Sequence, residues 1–188
     1  MRCCVDVVPI RALPQDDAEQ VTQALIREPL TEVERIEGWV SVTTAYGYPG
    51  WVRAWAVEDG AGELPVLLPG DPAGAARSYL GAPYEWGGMS KHGVDCSGLV
   101  HMAHRLAGVL VPRDSHEQEA AGVVIPADDA RRGDVITYGD ESRADHVALW
   151  TGAGKILHAT ARDGLGVVEE HEPEALRARR RAVVRLIA

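Results

Sequence analysis

Cysteine is scarce in this chain: Cys3, Cys4 and Cys96 are the only three among 188 residues. An odd number without paired spacing excludes both a disulfide framework and a four-ligand zinc cage. Lysine is scarcer, with Lys91 and Lys155 alone, and acidic residues outnumber basic ones 28 to 19 for a formal charge of −9. Such a balance offers no general attraction to phosphate backbones, so nucleic acid is not an expected partner. No apolar run approaches the roughly eighteen residues that a spanning helix needs, so no membrane partner is expected. Aromatics at 5% and charged residues at 25% are globular values rather than those of a disordered or fibrous chain. Residues 1–10 carry Asp6 and Pro9 among brief apolar stretches, unlike a signal peptide, and the expected location is the cytoplasm.

What is present divides into two textures. Residues 1–68 read as short strands: Val5 to Val8, the alternating Glu32 to Glu37, Trp39 to Thr43, and Trp51 to Trp55. Gly38, Gly47 and the Pro49-Gly50 pair punctuate them, and Trp39, Trp51 and Trp55 are expected to fill the core of a small barrel. A short Pro-rich linker, 64–70, follows. The second domain, 69–188, opens with Asp71 as N-cap and Pro72 at the first helical position, with Gly81 as the stop after Tyr79-Leu80. A second helix is predicted from Cys96 to Gly108 and a third around His116 to Ala121. Strands then follow at Val135–Tyr138, His146–Trp150, Lys155–Ala159 and Val183–Ile187. Helices first and adjacent strands afterwards predict an α+β domain behind an all-β one.

The chemistry gathers on Cys96. At a helix start, free backbone N–H groups and the positive end of the dipole favour a thiolate, which predicts a lowered thiol pKa. A nucleophilic thiol also needs a base and a group that orients the base. His146 and His158 lie on consecutive predicted strands, and a tight turn at Gly152 to Gly154 brings them together across an antiparallel pair. One imidazole would face the thiol and the other would hold it in position. The competing reading of Cys96 alone is a small buried hydrophobe. His101 and His104 are read as space-filling side chains rather than metal ligands. Arg177 to Arg181 is read as a solvated helix end.

Taken together, Tyr84-x-Trp86-Gly87-Gly88, Asp95-Cys96-Ser97-Gly98-Leu99-Val100, Pro112-Arg113-Asp114-Ser115-x-x-Gln118, Gly133-Asp134, His146-Val147-x-x-Trp150-x-Gly152 and His158-Ala159 resemble the NlpC-type cysteine peptidases. The resemblance covers residues 72–187 and implies a papain-like α+β core. It implies Cys96 as nucleophile, His146 as general base, His158 as the orienting residue and Tyr84 as a helper at the oxyanion. No metal or cofactor is implied. Leu30 to Glu37, Gly38-Trp39-Val40-x-Val42 and Gly47-Tyr48-Pro49-Gly50-Trp51-Val52 resemble a bacterial SH3-like barrel. The fusion is similar to γ-D-glutamyl-L-diamino-acid endopeptidases of murein recycling, in which the barrel helps select peptides with a free amino-terminal L-alanine.

That resemblance implies a substrate-binding set. Arg113, Ser97 and Ser115 would hold the D-glutamate α-carboxylate, Asp114 would take the alanine ammonium, and Asp95 is a further substrate-binding residue. Tyr48 and Glu28 are the matching barrel residues for further amine contacts. The alternatives are a helix cap for Asp114 and a solvated surface charge for Glu28. The expected partner is a murein peptide of the L-Ala-γ-D-Glu-L-Lys or diaminopimelate type. Two other functions fit the same sequence less fully: an amidase or acyltransferase on the papain-like core, and a non-catalytic wall-binding protein.

Overall fold

The computed structural model describes residues 1–186. The N-terminal unit contains β1 (Arg2–Cys3), β2 (Val7–Arg11), β3 (Gln20–Leu25), β4 (Leu30–Ile36), β5 (Trp39–Thr44), β6 (Pro49–Arg53) and β7 (Val57–Glu58). Five of these form an antiparallel sheet in the order β3-β2-β6-β5-β4, and β1 pairs with β7. The core is aliphatic: Val8, Ile10, Ala24, Leu30, Val40, Val42 and Val52 are buried together. Of the expected aromatic core only Trp39 is fully buried; Trp55 is 68% exposed. The short 3-10 turn Ala54–Ala56 that follows β6 buries Ala56 and leaves the Trp55 indole in solvent.

The second unit begins with α1 (Pro72–Arg77), whose N-terminus is capped as predicted: Gly74 N–H donates to Asp71 Oδ1 at 2.8 Å. A small hairpin, β8 (Met89–Ser90) and β9 (Gly93–Val94), leads into α2 (Cys96–Leu106), and α3 (Ser115–Ala121) follows. The rest is a six-stranded sheet of β10 (Val123–Val124), β11 (Val135–Gly139), β12 (Ala144–Gly152), β13 (Lys155–Thr160), β14 (Gly166–His171) and β15 (Arg180–Arg185). Its order is β10-β15-β11-β12-β13-β14, with a one-turn α4 (Glu174–Arg177) before β15. Val147, Leu149, Leu157 and Ala159 face α2 and form one core with Leu99, Val100 and Ala103. The β12–β13 turn runs through Gly152, Ala153 and Gly154, all at positive φ (97°, 51°, 74°), and glycine relieves two of those three positions.

Two expectations are corrected here. Arg177–Arg181 is not a solvated helix end, because Arg180 and Arg181 lie in β15. Arg177 and Arg180 clasp Glu172, Arg179 pairs with Asp145, and Arg181 pairs with Glu119. The last expected strand ends at Arg185; Ile187 lies outside the described residues. The linker does not float: the N–H groups of Leu67 and Leu68 both donate to Leu106 O at the end of α2.

The two units meet across buried polar contacts. Arg105 of α2 donates from Nη1 to Glu28 Oε2 at 3.0 Å, and both side chains are almost fully buried. Burial pushes the Glu28 carboxyl above its usual range, against the pull of Arg105. Breaking such a pair leaves an uncompensated charge in a dry interface. Glu28→Ala and Arg105→Ala are each expected to destabilise the protein by about 3–5 kcal/mol. The apolar double variant Glu28→Leu/Arg105→Met should lose far less than the sum, as read from denaturant midpoints.

Candidate active site

The N-terminus of α2 is built around one ion pair. Asp95 is the N-cap and accepts from Gly98 N–H at 2.6 Å; its second oxygen accepts from Gly87 N–H at 2.7 Å. Arg113 meets the same carboxylate with both terminal nitrogens, at 2.9 and 2.7 Å. Its remaining donors go to Ser97 Oγ (2.8 Å), Gly88 O (3.2 Å) and Thr22 Oγ1 of the barrel (3.2 Å). Gly98 is required here, since a Cβ on it would collide with Gly88 O. Cys96 therefore stands at a fixed first position of the helix, 7% exposed, with the backbone N–H groups of Ser97 and Val147 directed at its sulfur.

His146 and His158 come together as expected from β12 and β13, with His146 Nε2 and His158 Nδ1 2.9 Å apart. Since Nε2 of His146 is engaged, Nδ1 is its nitrogen left to receive a proton. The backbone of Val147, one residue from His146, works to lower the Cys96 thiol pKa, and among the described residues no hydrogen bond joins that thiol to an imidazole. Such contacts commonly tighten only once substrate is bound. The expectation of a lowered thiol pKa is overturned. Burial first, then the Asp95 carboxylate, pushes the Cys96 thiol up to about 12, against the favourable backbone N–H groups. Burial, His158 and Arg179 together push His146 down to about 3. At rest the Cys96 thiol and the His146 imidazole are both neutral. Tyr84, half-buried on the same cleft, is pushed up to about 12 by burial and by the nearby Cys96 and Asp95, so its hydroxyl remains a donor.

Cys96, Asp95 and Tyr84 border a cleft of about 380 Å³ whose far wall is the barrel, while His146 and His158 do not line it. Tyr48 of the barrel reaches across and donates to Asp114 Oδ2 at 3.1 Å. Asp114 occupies the N-cap position of α3 but makes no cap hydrogen bond, so the cap alternative fails and its carboxylate faces the cleft. Ser97 and Ser115 line the same cleft. Three expected substrate contacts are corrected. Glu28 is neither in the cleft nor on the surface but in the buried pair with Arg105. Arg113 has every N–H engaged inside the protein and holds Asp95 instead of a ligand, and the Asp95 carboxylate is saturated in turn.

The cleft also contains residues that sequence reasoning passed over. Glu19 accepts from the Trp86 indole N–H at 2.9 Å, and the two flank the mouth. Strand alternation offered a signal, since Glu19 and the cleft-lining Val21 share one parity at the start of β3. Arg143, just before β12, brings a guanidinium to the opposite end and forms no ion pair among the described residues. His101 and His104 are buried within α2, each with Nδ1 against a backbone carbonyl, Val111 O at 2.8 Å and Val100 O at 2.9 Å.

The NlpC/P60 family matches residues 81–183. The chain belongs to the NlpC/P60 family. Residues 10–57 match the bacterial dipeptidyl-peptidase Sh3 domain. A γ-D-glutamyl-L-lysine dipeptidyl-peptidase of Bacillus subtilis is 40% identical over 84 residues, which is 43% of this chain and 28% of that protein. A probable endopeptidase of Corynebacterium glutamicum is 31% identical over 131 residues, 69% of this chain and 62% of that protein. This NlpC/P60 chain thus spans less than two thirds of the length of these curated relatives. A solved NlpC/P60 protein from Bacillus cereus superposes on the whole chain and on 63% of its own, with a TM-score of 0.61 at 20% identity, a likeness of fold. The structure of the peptidoglycan hydrolase RipB of Mycobacterium tuberculosis matches 62% of this chain and 63% of its own, with a TM-score of 0.55 at 36% identity.

The buried imidazoles set the pH response of this NlpC/P60 chain. His101 and His146 are both pushed down to about 3, so the unfolded chain binds more protons than the folded one between there and ~6.5. Stability must therefore fall as pH is lowered through that window. A base that stays neutral in mild acid keeps working, and the acidic limb of kcat/KM is expected well below 6.5 in solutions where circular dichroism shows a folded protein. A limb at or above 6.5 would contradict the assignment of His146 as a desolvated base.

Proposed function

We propose that the protein is a cysteine endopeptidase that hydrolyses the γ-D-glutamyl–L-diamino acid bond of murein peptides with a free amino-terminal L-alanine. The observation that carries this reading is the Tyr48–Asp114 contact, through which the barrel closes one end of the Cys96 cleft with a carboxylate. Glu19 adds negative charge on the same side, and together they suit an ammonium group of short reach. Arg143 offers a guanidinium for the D-glutamate α-carboxylate, taking the direct role once expected of Arg113, whereas the Ser97 and Ser115 hydroxyls that line the cleft donate to Asp95 and to Ala144 O. The likeness to relatives named as γ-D-glutamyl-L-lysine dipeptidyl-peptidases supports the same bond.

In this mechanism substrate binding expels water and brings the γ-carbonyl carbon to Cys96 Sγ. His146 Nδ1 takes the thiol proton as sulfur attacks, forming a tetrahedral oxyanion next to the first N–H of α2 and the Tyr84 hydroxyl. The oxyanion collapses, the C–N bond breaks, and His146 returns the proton to the leaving amine of the diamino acid. Water, deprotonated by His146, then hydrolyses the thioester and releases L-Ala-γ-D-Glu. A pocket closed on a free amine favours peptides already released from muramic acid, which is the chemistry of recycling inside the cell rather than of intact wall.

Cys96→Ala is expected to abolish turnover in a folded protein, while Cys3→Ala and Cys4→Ala retain it. Acetylating the alanine amine removes the charge that Asp114 would meet and leaves a desolvated carboxylate without a partner. The loss expected in kcat/KM is roughly a hundredfold or more. Asp114→Ala should slow the free-amine peptide most and so narrow that gap, and Tyr48→Phe should do so to a smaller degree. Equal kcat/KM for the free and acetylated peptides would leave a general wall peptidase instead.

A further inference from the structure

The histidine pair does not end the chain of contacts. His158 Nε2 lies 3.0 Å from Glu170 Oε1, on β14. Both carboxylate oxygens of Glu170 accept from Arg162 Nη2, at 2.7 and 2.8 Å. The register makes this contact structural: His158 pairs with Val168 and Ile156 with Glu170, so Glu170 stands diagonally beside His158 on the same face. His158 is 1% exposed and has no solvent partner to substitute for that carboxylate. Burial works to raise the Glu170 carboxyl, but His158 and Arg162 hold it below its usual range, so it is an acceptor only.

We propose that Glu170, clamped by Arg162, is a positioning residue that dictates which nitrogen of each histidine carries the proton. The inference rests on the reading of His146 as the general base. An ionised Glu170 requires a proton on His158 Nε2, which leaves His158 Nδ1 with its lone pair. That nitrogen can then only accept, so His146 must donate from Nε2. His146 Nδ1 is left unprotonated, which is the form able to take the Cys96 proton. Without the carboxylate, His158 is free to place its proton on Nδ1 and donate to His146. His146 would then hold its own proton on Nδ1 and could not act as a base. A carboxylate or carbonyl bonded to the far ring nitrogen fixes the tautomer in this way at other histidine sites.

The sharpest variant is Glu170→Gln, which preserves size. Arg162 would draw the amide oxygen and turn the amide NH2 toward His158, enforcing the wrong tautomer. A residue needed only for packing would be rescued by this substitution. A residue that sets the tautomer would not be, and an amide in the equivalent role of a serine-protease triad costs about 10⁴ in kcat. One bond further out, at least a tenfold fall in kcat is expected, with KM within about twofold. Glu170→Ala, which merely releases the tautomer, should lose no more than Glu170→Gln. Independently of activity, 15N spectra of ring-labelled histidine should show His158 protonated at Nε2 in the native protein and at Nδ1 in Glu170→Gln. Native kcat in Glu170→Gln, or an unchanged His158 tautomer in a folded variant, would overturn the proposal. Should His146→Ala instead retain turnover, the base assignment itself fails, and the tautomer spectra still decide the role of Glu170.

Discussion

All five N–H groups of Arg113 are engaged inside the protein, and the cleft takes its shape from where they go. Two hold Asp95, which caps α2 and so sets the height and direction of Cys96. One reaches Gly88 and fixes the loop after Tyr84 and Trp86. One supports the Ser97 hydroxyl, and one crosses to Thr22 in the barrel. A single buried guanidinium therefore ties the Cys96 helix start, the Gly88 loop and the barrel into one register. Such a site is sensitive to replacement by lysine, which has neither the planar fork nor enough donors.

The barrel shapes the cleft through a few polar contacts. Glu28–Arg105 and Thr22–Arg113 seat it on the second unit, and that seating carries Tyr48 to Asp114 and Glu19 to Trp86. The closed geometry also desolvates the thiol and His146, so both rest neutral. On the proposed mechanism a bound substrate supplies the occasion for proton transfer, when charge moves onto the oxyanion and the imidazole at once.

Much of this was legible in the sequence where local rules decide. Asp71-Pro72 and Asp95-Cys96 announce helix starts through capping chemistry, and the alternation in β12 and β13 places His146 and His158 side by side. The family pattern then assigned their roles. What failed was partner choice over long sequence distance. Glu28 and Glu19 are both acidic residues flanking β3, and no local pattern says that one meets Arg105 while the other meets Trp86. Arg113 was recognised as important, yet its saturation by Asp95, Ser97, Gly88 and Thr22 is a property of packing. β14 was overlooked because its pattern, Gly-Val-Val-Glu-Glu-His, offers little alternation, and with it went Glu170. The lowered thiol pKa expected from the helix start was outweighed by burial, which sequence position does not report.

On the proposed reading this cleft, closed by the barrel at its amine end, places the γ-glutamyl carbonyl and no other at Cys96. The most direct test is mass spectrometry of the products from the tetrapeptide L-Ala-γ-D-Glu-L-Lys-D-Ala and its diaminopimelate counterpart. The account predicts L-Ala-γ-D-Glu and the matching L-diamino acid–D-Ala dipeptide as the only products. Release of free L-alanine or of terminal D-alanine, with the γ-glutamyl bond intact, would contradict it.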